Sequence, residues 1–338
     1  MARDEVVVDV GGRSVRVSHP AKVLFPAQGW TKMDLVEHYL VCGDGALLGV
    51  WGRPTVLKRW NEGVAGEPFF QKRAPKDSVH EYATIRFPSG RTADLLVPRH
   101  VADVAWMAQL NCLDLNPWPV RAEDVDHPDE LRVDLDPTPE ADFEAVRRVA
   151  AECGRVLAEH DLVGWPKTSG SRGLHVYVRI RPRWSFTAVR RAALALAREV
   201  ERRLPGLATS AWWKEERHGV FVDYNQNARD RTVASAYSVR HTGLVSAPVS
   251  WEEVADVDPR DFPMGTFAAS RYAAVGDPAA GIDQAVGDLD GLLDLARRDE
   301  AQGLGDAPWP PHFPKQDDEP PRVQPSRRRS QRPSRSDS

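Results

Sequence analysis

Asp134 and Asp136 stand one residue apart in the run Leu131-Arg132-Val133-Asp134-Leu135-Asp136-Pro137. In a strand, residues i and i+2 face the same way, so both carboxylates point together while Val133 and Leu135 pack on the other side. Carboxylates held this close repel, and at neutral pH such a pair takes up a shared proton or a divalent cation. Two solvated acids at a strand end would carry the same pattern, and two further segments weigh against that reading. Lys167-Thr168-Ser169-Gly170-Ser171-Arg172-Gly173-Leu174-His175 precedes an alternating strand. Its Ser/Gly turn offers open N–H groups and hydroxyls, with Lys167, Arg172 and His175 as positive donors, which is phosphate-binding chemistry; an ordinary hairpin is the competing reading. Val220-Phe221-Val222-Asp223-Tyr224-Asn225-Gln226-Asn227 sets an acid among apolar neighbours. That placement is costly unless a metal shared with Asp134 and Asp136 offsets the charge. A strand-like stretch, 232–240, ends in Arg240, whose guanidinium suits a phosphate fork.

The elements that must position these residues are legible from periodicity. Residues 5–10 and 15–18 alternate around Gly11-Gly12-Arg13 as a hairpin. Thr31 to Asp34 has the form of a capping box, opening a short helix to Cys42. Residues 55–60 predict a strand presenting Lys58 and Arg59 on opposite faces, so that one can reach a site while the other meets solvent. Strands over 80–88 and 93–97 flank the turn Pro88-Ser89-Gly90-Arg91, and helical spacing runs from Val101 to near Asn111. Amphipathic helices follow over 143–157 and 187–204, with a last helix between 284 and 298. Strands and helices in this order predict an α+β fold of mixed and antiparallel sheets flanked by helices. The expected organisation is one domain over 1–300: hairpin 5–18, a segment over 20–75 and a core over 80–300 that holds the acidic motif. A Pro/Arg/Ser-rich tail over 301–338 is expected to be disordered.

Composition bounds the class. No apolar run is long enough to span a membrane, and the N-terminal residues lack an apolar signal region. Three scattered cysteines suit a reducing cytoplasm and offer no zinc-ligand spacing. The net charge of −4 conceals an arginine-rich end, with six Arg against one Asp from Pro320 to Ser338. Nucleic-acid binding therefore depends on a local basic track rather than on net charge.

Val-Asp-Leu-Asp-Pro, Thr-Ser-Gly-Ser-Arg-Gly-Leu-His and Val-Phe-Val-Asp-Tyr-Asn-Gln-Asn, followed by Tyr237-Ser238-Val239-Arg240, resemble the archaeo-eukaryotic primase superfamily. They are most similar to the polymerase domain of bacterial ligase D and its stand-alone actinobacterial relatives. The likeness runs from about Pro20 to about Asp299 and takes in Ala21-Lys22-Val23-Leu24-Phe25-Pro26, Leu57-Lys58-Arg59-Trp60 and Phe69-Phe70-Gln71-Lys72.

The resemblance implies a primase-polymerase that fills short gaps or extends ends in DNA repair, with Asp134, Asp136 and Asp223 holding two ions. Oxygen-only ligands suit magnesium or manganese, and the resemblance favours manganese. It implies that Ser169, Arg172, His175 and Arg240 hold the triphosphate of an NTP or dNTP, with Lys58, Arg59, Asn116 and Gln226 beside the nucleotide and a preference for ribonucleotides. Lys22 and Lys32 are implied to hold a downstream 5′-phosphate. Phe69 and Phe70 are implied to pack on templating DNA, a core pair being the alternative. The chain departs from the pattern at Asn116, where these domains commonly have histidine, and at Arg172, where they have lysine. The implied partners are gapped or broken DNA, a separate ligase and an end-binding protein; synthesis in end joining is the alternative to gap filling. Asp-x-Asp also serves glycosyltransferases and phosphohydrolases, and a silent DNA-end binder is a third class.

Overall fold

The computed structural model describes residues 4–71, 73, 79–315 and 319–322. Strands β1 (Glu5–Val10) and β2 (Arg13–Ser18) pair antiparallel. Their turn, Gly11-Gly12, has φ of +60° and +80°, which favours glycine at both positions. The short ribbon of β3 (Val23–Phe25) and β4 (Trp30–Thr31) leads into α1 (Lys32–Val41). The capping box is present: Thr31 Oγ1 accepts from Asp34 N at 3.3 Å, and Asp34 Oδ2 accepts from Thr31 N at 2.6 Å. Such a cap is worth about 1 kcal/mol. After α2 (Gly43–Val50) come β5 (Thr55–Arg59), β6 (Phe69–Gln71), β7 (Glu81–Arg86), β8 (Thr92–Val97), α3 (Val101–Gln109) and β9 (Cys112–Pro117). These five strands form an antiparallel sheet in which β5 pairs with β6, β8 and β9, and β7 pairs with β8.

The second sheet carries the acidic motif. It contains β10 (Glu130–Pro137), β11 (Gly164–Thr168), β12 (Leu174–Arg179), β13 (Ala208–Thr209) and β14 (Val220–Val222), with α4 (Phe143–Glu159) and α5 (Phe186–Arg203) inserted along the chain. The order is β11-β12-β10-β14-β13, and only β13–β14 is parallel. In β10, Leu131, Val133 and Leu135 join Val146, Val149 and Cys153 of α4 and Val189 and Ala193 of α5 in one core. The alternation sends Arg132, Asp134 and Asp136 to the other face, as the sequence predicts. Short helices α6 (Met264–Phe267) and α7 (Ala273–Val275) precede α8 (Asp290–Ala301), which packs on α5. Among the described residues no helix is long and apolar enough to cross a membrane.

Three expectations are corrected. The stretch 232–240 is not a strand: it makes one isolated bridge, Val239 to Val245, because Tyr237 turns the chain with φ of +64°. The last helix starts at Asp290, since Gly287 pairs with Ile180 and ties the preceding residues to the end of β12. The beginning of the tail is packed: Trp309 and Phe313 are buried with Ala228. Its two aromatic residues form one small cluster, which composition alone does not show. Lys72 and the Arg327-Arg328-Arg329 run lie outside the described residues.

Candidate active site

The antiparallel ladders bring the three motifs together. Asp134 sits opposite His175 in the β10–β12 register, and Asp136 opposite Phe221 in β10–β14. Just past β14, Asp223 N donates to Asp134 O at 2.8 Å. Carboxylate oxygens of Asp134, Asp136 and Asp223 consequently lie within 4.8 Å of one another. Asp223 is held from below: its Oδ1 accepts from Asn225 N at 2.9 Å and its Oδ2 from Gln226 Nε2 at 3.0 Å.

This crowding raises all three pKa values. Burial pushes Asp134 to about 6 and Asp223 to about 6, the latter with help from the charge of Asp134. Asp136 rises to about 7, chiefly through the charge of Asp134. Asp136 is open to the cleft, so solvent screens part of that repulsion. A set of converging hard oxygens that resists full ionisation fits a magnesium- or manganese-type cation. The triad can hold such an ion.

A cleft of about 350 Å³ opens over Asp134 and Asp136, lined also by Lys58, Phe70, Asp114, Asn116, Ser169, Arg172, His175, Gln226 and Arg240. The Ser/Gly turn forms one wall. Ser169 Oγ accepts from the amides of Ser171 at 3.2 Å and Gly173 at 3.1 Å, and Arg240 Nη1 donates to Ser169 O at 2.8 Å. Gly173 lies so close to β10 that an added Cβ would stand 2.2 Å from Leu135 O. Arg172 is exposed at the rim.

Beneath the turn Lys167 is buried, and its Nζ donates to His175 Nδ1 at 2.6 Å, Ala234 O at 2.8 Å and Ser246 Oγ at 2.6 Å. The Ser246 hydroxyl is itself donated to Thr168 O at 2.6 Å, so toward Lys167 it accepts. Burial, reinforced by Arg240 and Arg132, pushes the Lys167 ammonium well below its usual range, while Asp134 pulls the other way. With the His175 proton placed on Nε2, toward Asp134 Oδ1 at 3.3 Å, Nδ1 is an acceptor. Nδ1, Ala234 O and Ser246 Oγ then call for three donors from one nitrogen, so we assign the ammonium. Both ring nitrogens face protein groups, Lys167 and Asp134, while the side chain still lines the cleft. Burial and the neighbouring cations hold its pKa well below the usual value.

β5 separates two pockets. Lys58 faces the cleft, paired with Asp114 at 3.0 Å and lying over Trp60 and Phe70. Arg59 points to the opposite side, donating to Leu110 O at 3.0 Å and Gln71 Oε1 at 2.8 Å. There it joins Lys22 and Lys32 in a second pocket of about 610 Å³. Arg59 is thus removed from the nucleotide side where it was expected. Burial and the charges of Lys22 and Arg59 lower Lys32 to about 8. Phe69 and Phe70 are 56% and 52% exposed, which excludes the core-pair reading. Asn116 is buried at the cleft wall, its Nδ2 donating to Asp114 O at 3.1 Å. Asp114 escaped sequence reasoning, although its place two residues before Asn116 on β9 puts both on one face. Lys167 stood in the motif, but nothing in its spacing revealed a buried amine.

Solved structures and relatives carry the same arrangement of chain. The polymerase domain of Mycobacterium tuberculosis ligase D, solved in complex with DNA, matches with a TM-score of 0.73 and 30% identity over 80% of this chain and 98% of that one. The multifunctional non-homologous end joining protein LigD of Mycolicibacterium smegmatis is 34% identical over 253 residues, 73% of this chain and 33% of that protein. The protein of the same name from Pseudomonas aeruginosa is 30% identical over 245 residues, 71% of this chain and 29% of that protein. The chain therefore spans about a third of the length of these relatives. The family model of the LigD primase-polymerase domain matches residues 31–279, a span that holds the three acids, the Ser/Gly turn and Arg240, and the chain belongs to that family.

Proposed function

We propose that this protein is a template-directed nucleotidyltransferase that fills short gaps in DNA, gripping the 5′-phosphate on the far side of the gap. The observation that carries the proposal is the pairing of two pockets across β5, one in which Asp134 and Asp136 meet Lys58, Arg172 and Arg240, and one holding Lys22, Lys32 and Arg59. A glycosyltransferase or phosphohydrolase has no use for the second pocket.

Asp134, Asp136 and Asp223 would hold the divalent ions, manganese or magnesium, that the reaction needs. Bound there, the ions supply positive charge against the attacking and leaving oxygens of phosphoryl transfer. The chain's own groups do the rest. Ser169, Arg172 and Arg240 hold the β- and γ-phosphates, where charge-assisted donors meet the charge that develops on pyrophosphate. Arg172 brings a fork where a lysine would bring a point charge. His175, fixed by Lys167, orients Asp134. Gln226 orients Asp223, and Asn116 with Lys58 borders the sugar and base. Phe70, and Phe69 beside it, offer rings for the template bases. The ribonucleotide preference of the resembled domains extends to this chain as part of the proposal, with Asn116 as the group beside the sugar.

The test is primer extension on a gapped duplex with and without a downstream 5′-phosphate, supplying ribo- or deoxyribonucleotides with manganese or magnesium. Templated addition enhanced by the phosphate supports the reading. Absence of addition under every condition leaves a DNA-end binder. A second reading, synthesis at broken ends beside a separate ligase and an end-binding protein, is favoured by the end-joining names of the relatives. Tighter binding to blunt or overhanging ends than to a gapped duplex would select it.

A further inference from the structure

Residues 306–315 and 319–322 lie beyond the span matched by the family model, yet they reach the back of the acidic triad. The link is Arg190 on α5, only 1% exposed, its guanidinium lying over the ring of Tyr224 at 5.1 Å and that of Trp309 at 4.3 Å. Its Nε donates to Asn225 Oδ1 at 3.1 Å. Its Nη1 donates to Asp306 Oδ1 at 2.7 Å, and its Nη2 to Pro308 O at 2.8 Å. Asn225 N in turn donates to Asp223 Oδ1. One buried cation thus joins the C-terminal segment to the turn that aims a proposed metal ligand.

The segment is built to stay there. Trp309 Nε1 donates to Asp306 Oδ2 at 2.8 Å, and Trp309 N to Glu319 Oε1 at 2.6 Å. Glu319, itself buried, is clasped by Arg322 through Nε at 2.5 Å and Nη2 at 2.8 Å. The segment therefore closes on itself before it docks. Asp306 is the one carboxylate paired with Arg190 among the described residues. Without it the guanidinium would be a buried charge lacking a counter-ion, and breaking such a pair is far more disruptive than never having built it.

We infer that residues 306–315 and 319–322 form a brace that positions Asp223 through Arg190 and Asn225. Asp306 and Trp309 are positioning residues. They touch no substrate; they hold the Tyr224–Asn227 turn so that the carboxylate of Asp223 points at its two neighbours. Groups one step behind a metal ligand commonly change metal affinity by about 10- to 100-fold when removed.

The inference rests on the metal reading of the triad, so its test needs a readout that stands without metal. Amide hydrogen exchange supplies one. In Trp309→Ala and Asp306→Asn chains, the amides of residues 225–227 should exchange about tenfold faster or more, while those of β10 and β12 keep their protection. Manganese titration should then show affinity reduced about tenfold, with kcat falling and the KM for DNA unchanged. Asp306→Asn keeps the shape of the pair and serves if Trp309→Ala does not fold. Unchanged exchange at 225–227 in a folded variant overturns the brace, as does a uniform loss of protection across both strands. If the wild-type chain binds no manganese while the variants loosen this turn alone, the metal reading fails and the brace stands.

Discussion

Lys167 Nζ and His175 Nδ1 stand 2.6 Å apart, both buried, at the floor of the cleft. The other ring nitrogen, Nε2, faces Asp134 Oδ1 at 3.3 Å, which places the imidazole proton there and leaves Nδ1 to accept. Replacing Lys167 by Met removes a donor to three acceptors and one of the cations that depress His175. The His175 pKa should rise, visible as a shift of its ring resonances in an NMR titration, and nucleotide addition should fall by about tenfold or more. An unmoved titration would mean that the two side chains do not communicate.

Asp136 carries two predictions, one for activity and one for the metal-free protein. Asp136→Ala should abolish extension and leave DNA binding largely intact, as measured by a mobility shift beside a primer-extension assay. In chelator the three carboxyls have folded pKa values of about 6, 7 and 6, raised above the ordinary 3.8. A raised carboxyl costs nothing below its unfolded pKa and costs stability as pH climbs through its folded value. The metal-free chain should therefore melt lower at about pH 8 than at about pH 5. Manganese should offset the loss at about pH 8, and Asp136→Asn should flatten the pH dependence.

The pocket of Lys22, Lys32 and Arg59 makes a separable prediction. Lys22→Ala with Lys32→Ala should remove stimulation by a 5′-phosphate while extension of a simple primer-template persists. Because Lys32 sits at about 8, its ammonium is lost on the alkaline side. The ratio of extension with phosphate to extension without it should decline from about pH 7 to about pH 9.

Gly173→Ala places a Cβ 2.2 Å from Leu135 O, a backbone atom that cannot swing aside. The turn must move off β10, at a cost of about 2–3 kcal/mol in a denaturation midpoint, and nucleotide affinity should fall with it.

The sequence made the acidic strand legible because period two is unambiguous: Leu131, Val133 and Leu135 went to the core, and Asp134 and Asp136 to the cleft. The Thr31–Asp34 cap and the Gly11-Gly12 turn were readable for the same reason, each being decided by a few neighbouring residues. What failed was long-range. Arg59 was assigned to the nucleotide side because two consecutive cations cannot be told apart until β6 and β9 fix which face of β5 meets which pocket. His175 carried phosphate-binding surroundings in sequence, but the β11–β12 pairing sets Lys167 opposite it and claims its Nδ1. The packing of Trp309 depends on Arg190, more than a hundred residues away, and no local pattern announces such a contact.

The opposed faces of Lys58 and Arg59 have a geometric consequence. Side chains leaving one strand in opposite directions are separated by covalent geometry, which no loop movement can stretch. On the proposed reading, a nucleotide on one side and a terminal phosphate on the other would be measured against each other by the thickness of β5. The strand would then act as a gauge, setting the length of gap that suits this protein by a single layer of backbone.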